Sequence, residues 1–217
     1  MADVTVKVLT KATSYALLTL DEAKLMMNIP SGDTTSDAYL QMLIDQNSDS
    51  IATLCNRTFA YEEVLETWRC IGPVCCPDGA CRIYLTHYPV KEDEIISVET
   101  PKGTVLLPED YEIEESSGKL TIFGGCINEI VVRYFGGYEL PDEAPDALKQ
   151  AATVAVQSSK TEAETSAVSG IRMIAHKESR VMYHNPAQAS KSSSGGTTGA
   201  QQSAIKSLLT HYIRIWV

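Results

Sequence analysis

Leu18-Thr19-Leu20-Asp21-Glu22-Ala23-Lys24 is followed by a turn and then by a long amphipathic run from Asp37 to Cys55. Thr19 and Glu22 stand three apart, the spacing of a capping box, so a helix begins at Thr19. It ends near Asn28-Ile29-Pro30, because proline disfavours helical backbone in the residue before it. Ser31 to Thr35 has the composition of a turn, and Ser36 can cap the next helix. In that helix Leu40, Leu43, Ile44, Ile51, Leu54 and Cys55 recur at three- and four-residue steps and share one face. Asn56 occupies the position where a left-handed residue closes a helix.

Beyond Asn56 the periodicity changes. Glu62–Arg69, Arg82–Tyr88, Ile95–Glu99, Thr104–Leu107, Tyr111–Glu114, Lys119–Phe123 and Glu129–Tyr134 are short β candidates separated by turn residues. Short strands at close spacing predict a small antiparallel sheet or barrel. Gly136-Gly137 ends the set. A third helix follows, with Pro145 in its first turn and Leu148, Ala151, Ala152 and Ala155 on one face. That small-residue face should pack closely on another helix, with the Leu40–Leu54 face as the expected partner. The helix fades through Ser158-Ser159.

The fold class is therefore α+β: a small helical core with an antiparallel β-rich insertion, an extended C-terminal arm and a terminal helix. The expected boundaries are a core over 1–165, with helices near 19–28, 36–56 and 143–163 and the insertion near 62–135. A β arm covers 166–185, with Ile171, Met173, Val181 and Tyr183 on its two strand candidates. A Ser/Gly/Ala/Thr-rich flexible linker covers 186–202. The segment 203–217 carries Leu208, Leu209, Tyr212, Ile213 and Trp216 at helical spacing. An apolar segment on a tether needs a surface to dock on, either a partner or its own core.

The chain has 217 residues and a net charge of −10. Residues 1–160 carry −13 and residues 161–217 carry +3. An acidic body argues against gripping a phosphate backbone, which requires clustered Lys and Arg. No stretch approaches the roughly 18 apolar residues of a membrane span, and no signal-peptide pattern opens the chain. The expectation is a protein made in the cytoplasm, with no membrane partner.

Chemistry-bearing clusters are few. Cys70, Cys75, Cys76 and Cys81 could hold zinc, but structural sites usually pair cysteines two to four apart. The alternatives are a small-residue loop, a loop packed between subunits, or a disulfide formed late. Cys55 reads as a small buried hydrophobe. His87, His176, His184 and His211 are scattered, which suits exposed polar roles. Glu109, Asp110, Glu112, Glu114 and Glu115 read as a solvated strand edge rather than an acid–base pair. Gly124-Gly125 and Gly136-Gly137 lack the spacing of phosphate-binding loops. No catalytic residue, metal site or cofactor is assigned. A cysteine-site zinc protein or another soluble binding module is the alternative reading.

The opening helical block, with Phe59 after it, resembles the N-terminal part of the head–tail connector (adaptor, or head-completion) family of tailed bacteriophages. Further pieces follow in the same order. Tyr88-Pro89-Val90 with Ile95-Ile96-Ser97-Val98 resembles the family's strand–turn–strand, and Tyr111 to Ile122 its next hairpin. Val131–Tyr134 with Gly136-Gly137-Tyr138 resembles the strand leading to the last core helix, which Leu140-Pro141 and Pro145–Ala152 resemble in turn. Gly170–Tyr183 and Leu208-Leu209-Thr210-His211-Tyr212 complete the series. The Cys70–Cys81 loop and the polar stretch Gln157–Glu164 depart from it.

The resemblance implies a non-enzymatic virion protein at the head–tail neck, a ring of twelve copies docked under the portal protein. Such a ring extends the DNA channel, lets viral DNA pass without specific binding, and offers a platform to a tail or stopper protein. Leu208, Leu209, Tyr212, Ile213 and Trp216 are then the portal-docking candidates, and Ile171, Met173, Val181 and Tyr183 of the arm the subunit-contact candidates.

Overall fold

The structure is a computed structural model that describes residues 3–69, 80–100, 103–123, 128–168, 173–176, 179–182 and 197–214. Helix α1 spans Leu20–Met26, and Thr19 is its N-cap. The Glu22 N–H donates to Thr19 Oγ1 at 3.1 Å, and the Thr19 N–H donates to Glu22 Oε2 at 2.8 Å. Two otherwise unpaired N–H groups are thus satisfied reciprocally. The helix closes on Asn28, at φ 56°. Ile29 N–H reaches back to Lys24 C=O at 2.9 Å and Asn28 N–H to Leu25 C=O at 3.2 Å, the double closure of a Schellman motif.

Helix α2, Asp37–Cys55, ends in the same way. Asn56 has φ 53°, and Arg57 N–H donates to Ala52 C=O at 3.2 Å. Leu40, Leu43, Ile44, Ile51 and Cys55 are buried as their spacing predicts, whereas Leu54 in the last turn is exposed. Burial pushes the Cys55 thiol up to about 11, which keeps it an inert hydrophobe.

The chain divides into two compact units, each discontinuous in sequence. One holds Met1–Ala16, Ala52–Ala144 and Arg214–Val217; the other holds Leu17–Ile51 and Pro145–Ile213.

The first unit is β-rich. A four-stranded antiparallel sheet has the order β1 (Asp3–Thr10), β2 (Glu62–Arg69), β7 (Glu129–Gly136), β4 (Ile95–Glu99). A three-stranded antiparallel sheet has the order β3 (Cys81–Tyr84), β6 (Lys119–Ile122), β5 (Tyr111–Glu114). Alternate residues of β2 and β7 point inward: Val64, Trp68, Ile130, Val132 and Tyr134 join Cys81, Ile83, Leu120 and Ile122 in one hydrophobic cluster. Strand β1 belongs to this sheet, whereas the β candidates expected from the sequence all follow Asn56. Residues 104–107 form no strand, only an isolated bridge from Val105 to Glu99, because Pro108 then turns the chain into a single 3-10 turn over Pro108–Asp110.

The glycines after β7 have steric reasons. Gly137 has φ +113°, and a Cβ there would overlap the Ala60 carbonyl. The close approach lets Tyr138 N–H donate to Phe59 C=O at 2.7 Å and Tyr61 N–H to Tyr138 C=O at 2.9 Å. Beside them Arg57 lies over the rings of Phe59 and Tyr88, its guanidinium carbon 4.7 and 3.4 Å from the two centroids, and it donates to the Tyr88 carbonyl. Burial lowers the Arg57 pKa, but the stacking partners suit a weakly hydrated guanidinium.

The second unit is helical. Helix α3 spans Asp146–Val168, and α4 spans Thr197–Leu209. Leu148, Ala151, Ala152 and Val156 are buried, and Ala155 only partly so. Pro145 precedes α3 rather than opening it: its carbonyl accepts from Lys149 N–H at 3.0 Å. The polar stretch does not end α3, since the Ser158 and Thr161 hydroxyls bond back to the carbonyls of Val154 and Gln157. Helix α3 packs more extensively along α4 than along α2, the partner expected from the sequence. It still reaches α2 through Ser159 Oγ and Asn47 Oδ1, 3.2 Å apart, and α1 through Lys149 Nζ and Glu22 Oε1, 2.6 Å apart. Lys24, itself buried, pairs with Asp37 at 2.5 Å. Strands β8 (Met173–His176) and β9 (Ser179–Met182) form a separate antiparallel hairpin.

Candidate functional site

The C-terminal segment departs from its expected form. The helical part begins at Thr197, inside the stretch read as a flexible linker, and ends at Leu209 instead of running to Val217. Tyr212 N–H turns back to Leu209 C=O at 2.8 Å, and the chain leaves the helix there. Arg214 N–H then donates to Cys55 C=O at 2.9 Å, the last carbonyl of α2, and its guanidinium donates to Tyr84 C=O at 3.0 Å. These bonds lie beyond the end of the helix and tie the chain to the β-rich unit.

The four described docking candidates, Leu208, Leu209, Tyr212 and Ile213, consequently do not share one exposed helical face. Leu209 is 0% exposed and belongs to the core. Leu208 and Tyr212 are partly buried, and Ile213 is 38% exposed. Trp216 lies outside the described residues. Of the arm candidates, Met173 and Val181 lie on β8 and β9, where Met173 pairs with Met182 and Val181 with Ile174. Ile171 and Tyr183 lie outside the described residues.

The cysteine loop has one described member, Cys81, which is buried in the sheet cluster beside Ile83 and Ile122. Cys70, Cys75 and Cys76 lie outside the described residues. No group of His, Cys, Asp and Glu among the described residues is arranged to hold a metal ion. No helix among them is long and apolar enough to cross a membrane.

A buried polar chain inside the β-rich unit is the feature that sequence reasoning missed. Glu66 is 0% exposed. It accepts from Trp68 Nε1 at 3.0 Å and from Thr86 N–H at 2.8 Å, and also from the Thr86 and Tyr134 hydroxyls. The Tyr134 oxygen in turn accepts from His87 N–H at 3.1 Å. His87 is buried, not exposed as expected: its Nδ1 stands 2.9 Å from Thr86 Oγ1 and its Nε2 3.2 Å from Glu62 Oε2. Glu62 also accepts from the Tyr15 hydroxyl and from Ala12 N–H.

Burial alone would raise the Glu62 pKa, but the hydrogen bonds from His87, Tyr15 and Ala12 overcome it and hold the carboxyl below its ordinary value. The same contact pushes the Tyr15 phenol up to about 12, and burial pushes Tyr134 well above the ordinary tyrosine value. Internal donors on both carboxylates fix their positions within the sheet. The acidic residues Glu109, Glu112, Glu114 and Glu115 are exposed around β5, as a solvated edge requires.

No protein-family model matches this chain, and no curated protein matches it in sequence. Solved structures do match along its whole length. The chain resembles a chain of the neck of an empty gene transfer agent particle computed with C6 symmetry, with a TM-score of 0.56 and 11% identity over 98% of this chain and 97% of the other. It likewise resembles a chain of the native particle's neck computed with C12 symmetry, at TM-score 0.52, 11% identity and the same coverages. A chain from the native gene transfer agent virion gives a TM-score of 0.51 at 11% identity, over 98% of this chain and 96% of the other. The shared fold is consistent with the head–tail connector family that the ordered sequence motifs resemble.

Proposed function

We propose that this protein is a structural component of the neck of a phage-like virion. It acts as an adaptor that assembles into a ring of twelve copies, docks on the portal protein, extends the DNA channel and carries the tail or stopper protein. The observation that carries this reading is the fold match to neck chains, which spans 98% of this chain. The ordered motifs support it independently. The polar interior is committed to internal hydrogen bonds, which suits scaffolding rather than catalysis. The net charge of −10 suits a channel wall that DNA slides past.

Portal docking is assigned to the end of the chain, with Ile213 and Trp216 as the anchors and Tyr212 and Leu208 flanking them. Leu209 is left out, since a core residue is not free to anchor a partner. Negative-stain microscopy of the protein mixed with portal complexes from the same particle tests the reading. A ring of added density under the portal is expected; its absence, with the protein in excess and folded, overturns it.

A further inference from the structure

Strand β1 is an open margin of the four-stranded sheet, and β5 an open margin of the three-stranded one. The other two margins are engaged. Beyond β4, Leu106 N–H donates to Val98 C=O at 2.8 Å and Val105 bridges to Glu99. At β3 the Tyr84 carbonyl takes the Arg214 guanidinium. Among the described residues no strand lies beyond β1 or β5. An open margin presents a row of backbone N–H and C=O groups ready to pair, and proteins usually blunt it with proline, bulges or shortness. Strand β1 is eight residues long, contains no proline, and has a register shift only between Val8 and Thr10.

The side chains of β1 alternate. Val4, Val6 and Val8 stand opposite Trp68, Glu66 and Val64, on the core side of the sheet. Val4 packs on the hydrophobic cluster, but Val6 and Val8 remain 40% and 36% exposed. Lys7 is on the outer side, exposed, and Lys11 follows just past the strand. Strand β5 has the complementary pattern: Tyr111 and Ile113 on the core side, partly buried, and Glu112 and Glu114 exposed on the outer side.

We propose that β1 of one copy pairs edge to edge with β5 of the next copy in the ring. This inference rests on the ring reading above. Set side by side with their core-side faces aligned, Val6 and Val8 meet Tyr111 and Ile113, and Lys7 meets Glu112. That match holds for a parallel and for an antiparallel approach, because the apolar pair flanks the charged residue symmetrically in both strands. A slip of one residue would set Lys7 against an apolar residue and the valines against glutamates, so the register is specified. Directly opposed unlike charges and apolar pairs are the stabilising cross-strand combinations. Because the two margins differ, the contact is heterologous: each copy keeps one margin of each kind free for the next, and the series closes only as a ring. A β1-to-β1 contact would stop at two copies and place Lys7 near its own equivalent.

The test uses full-length protein, light and heavy-isotope copies mixed equally, alone and on portal complexes. A zero-length carbodiimide reagent joins amines to carboxylates in contact. Lys7–Glu112 peptides of mixed isotope are expected. Lys7→Glu and Glu112→Lys should each lower the yield of linked copies about tenfold, and the two reversals together should restore it. Both sites are exposed, and circular dichroism checks that the variants fold; the wild-type peptide map decides the matter even if one does not. Rings without the mixed-isotope linkage, or rings indifferent to both reversals, overturn the pairing and leave the neck reading standing. A chain that assembles neither alone nor on portals overturns both.

Discussion

The hydroxyl of Tyr134 on β7 donates to the Glu66 carboxylate on β2, although the strand register sets Tyr134 opposite Val64 and Glu66 opposite Val132. The contact is therefore diagonal, across the inner face of the sheet. Tyr134→Phe removes a donor from a buried carboxylate and an acceptor from His87 N–H. It should cost about 1–3 kcal/mol, the usual range for a buried polar group left without its partner. Urea unfolding followed by tryptophan fluorescence measures it; an unchanged midpoint would show that Glu66 is satisfied without Tyr134.

Acid should weaken the protein through its glutamates. Glu62 and Glu22 both titrate below their ordinary value of 4.5 in the folded chain. In that window the unfolded chain binds more protons than the folded one, so stability is fully present above pH 4.5 and falls as pH drops through the folded values. Glu62→Gln should flatten this acid limb and lower stability at neutral pH. Unfolding midpoints measured between neutrality and pH 3 give the slope directly.

Gly137→Ala should be among the most damaging small substitutions. The position combines φ +113° with a Cβ path that overlaps the Ala60 carbonyl. Strain and overpacking together suggest about 2–4 kcal/mol. Gly103→Ala, which also has positive φ but open space around it, should cost less. A thermal melt of the pair separates backbone strain from steric overlap.

Leu209 and Ile213 lie four residues apart and should behave oppositely. Leu209→Ala empties a fully buried site and should cost about 2–5 kcal/mol. Ile213→Asp changes an exposed residue, should leave the melting temperature nearly unchanged, and should weaken portal docking. Co-sedimentation with portal complexes, together with melting curves, distinguishes the two roles.

What was legible in the sequence was mostly local. The Thr19–Glu22 box and the closing Asn56 act over a few residues, so their chemistry can be read without a fold. The hairpin of β5 and β6 is legible for the same reason, since Tyr111–Glu114 and Lys119–Phe123 are close in sequence. Strand β1 was missed although Val4, Val6 and Val8 alternate at period two; its partner β2 lies more than fifty residues away. Glu66 was also misleading. A glutamate between Val64 and Trp68 reads as a break in the pattern, and only the fold brings Thr86 and Tyr134 to it, 20 and 68 residues distant. The end of α4 was misplaced because helical spacing persists to Trp216, while a backbone bond from Arg214 to Cys55 overrides it.

That bond has a mechanical consequence. The Arg214 backbone is clamped to the final carbonyl of α2, and its side chain to β3. A partner that pulls on the chain beyond Arg214 loads the helix terminus and the strand together. Tension at the tail would be felt inside the sheet, and a grip that breaks the clamp would uncap α2 in the same event.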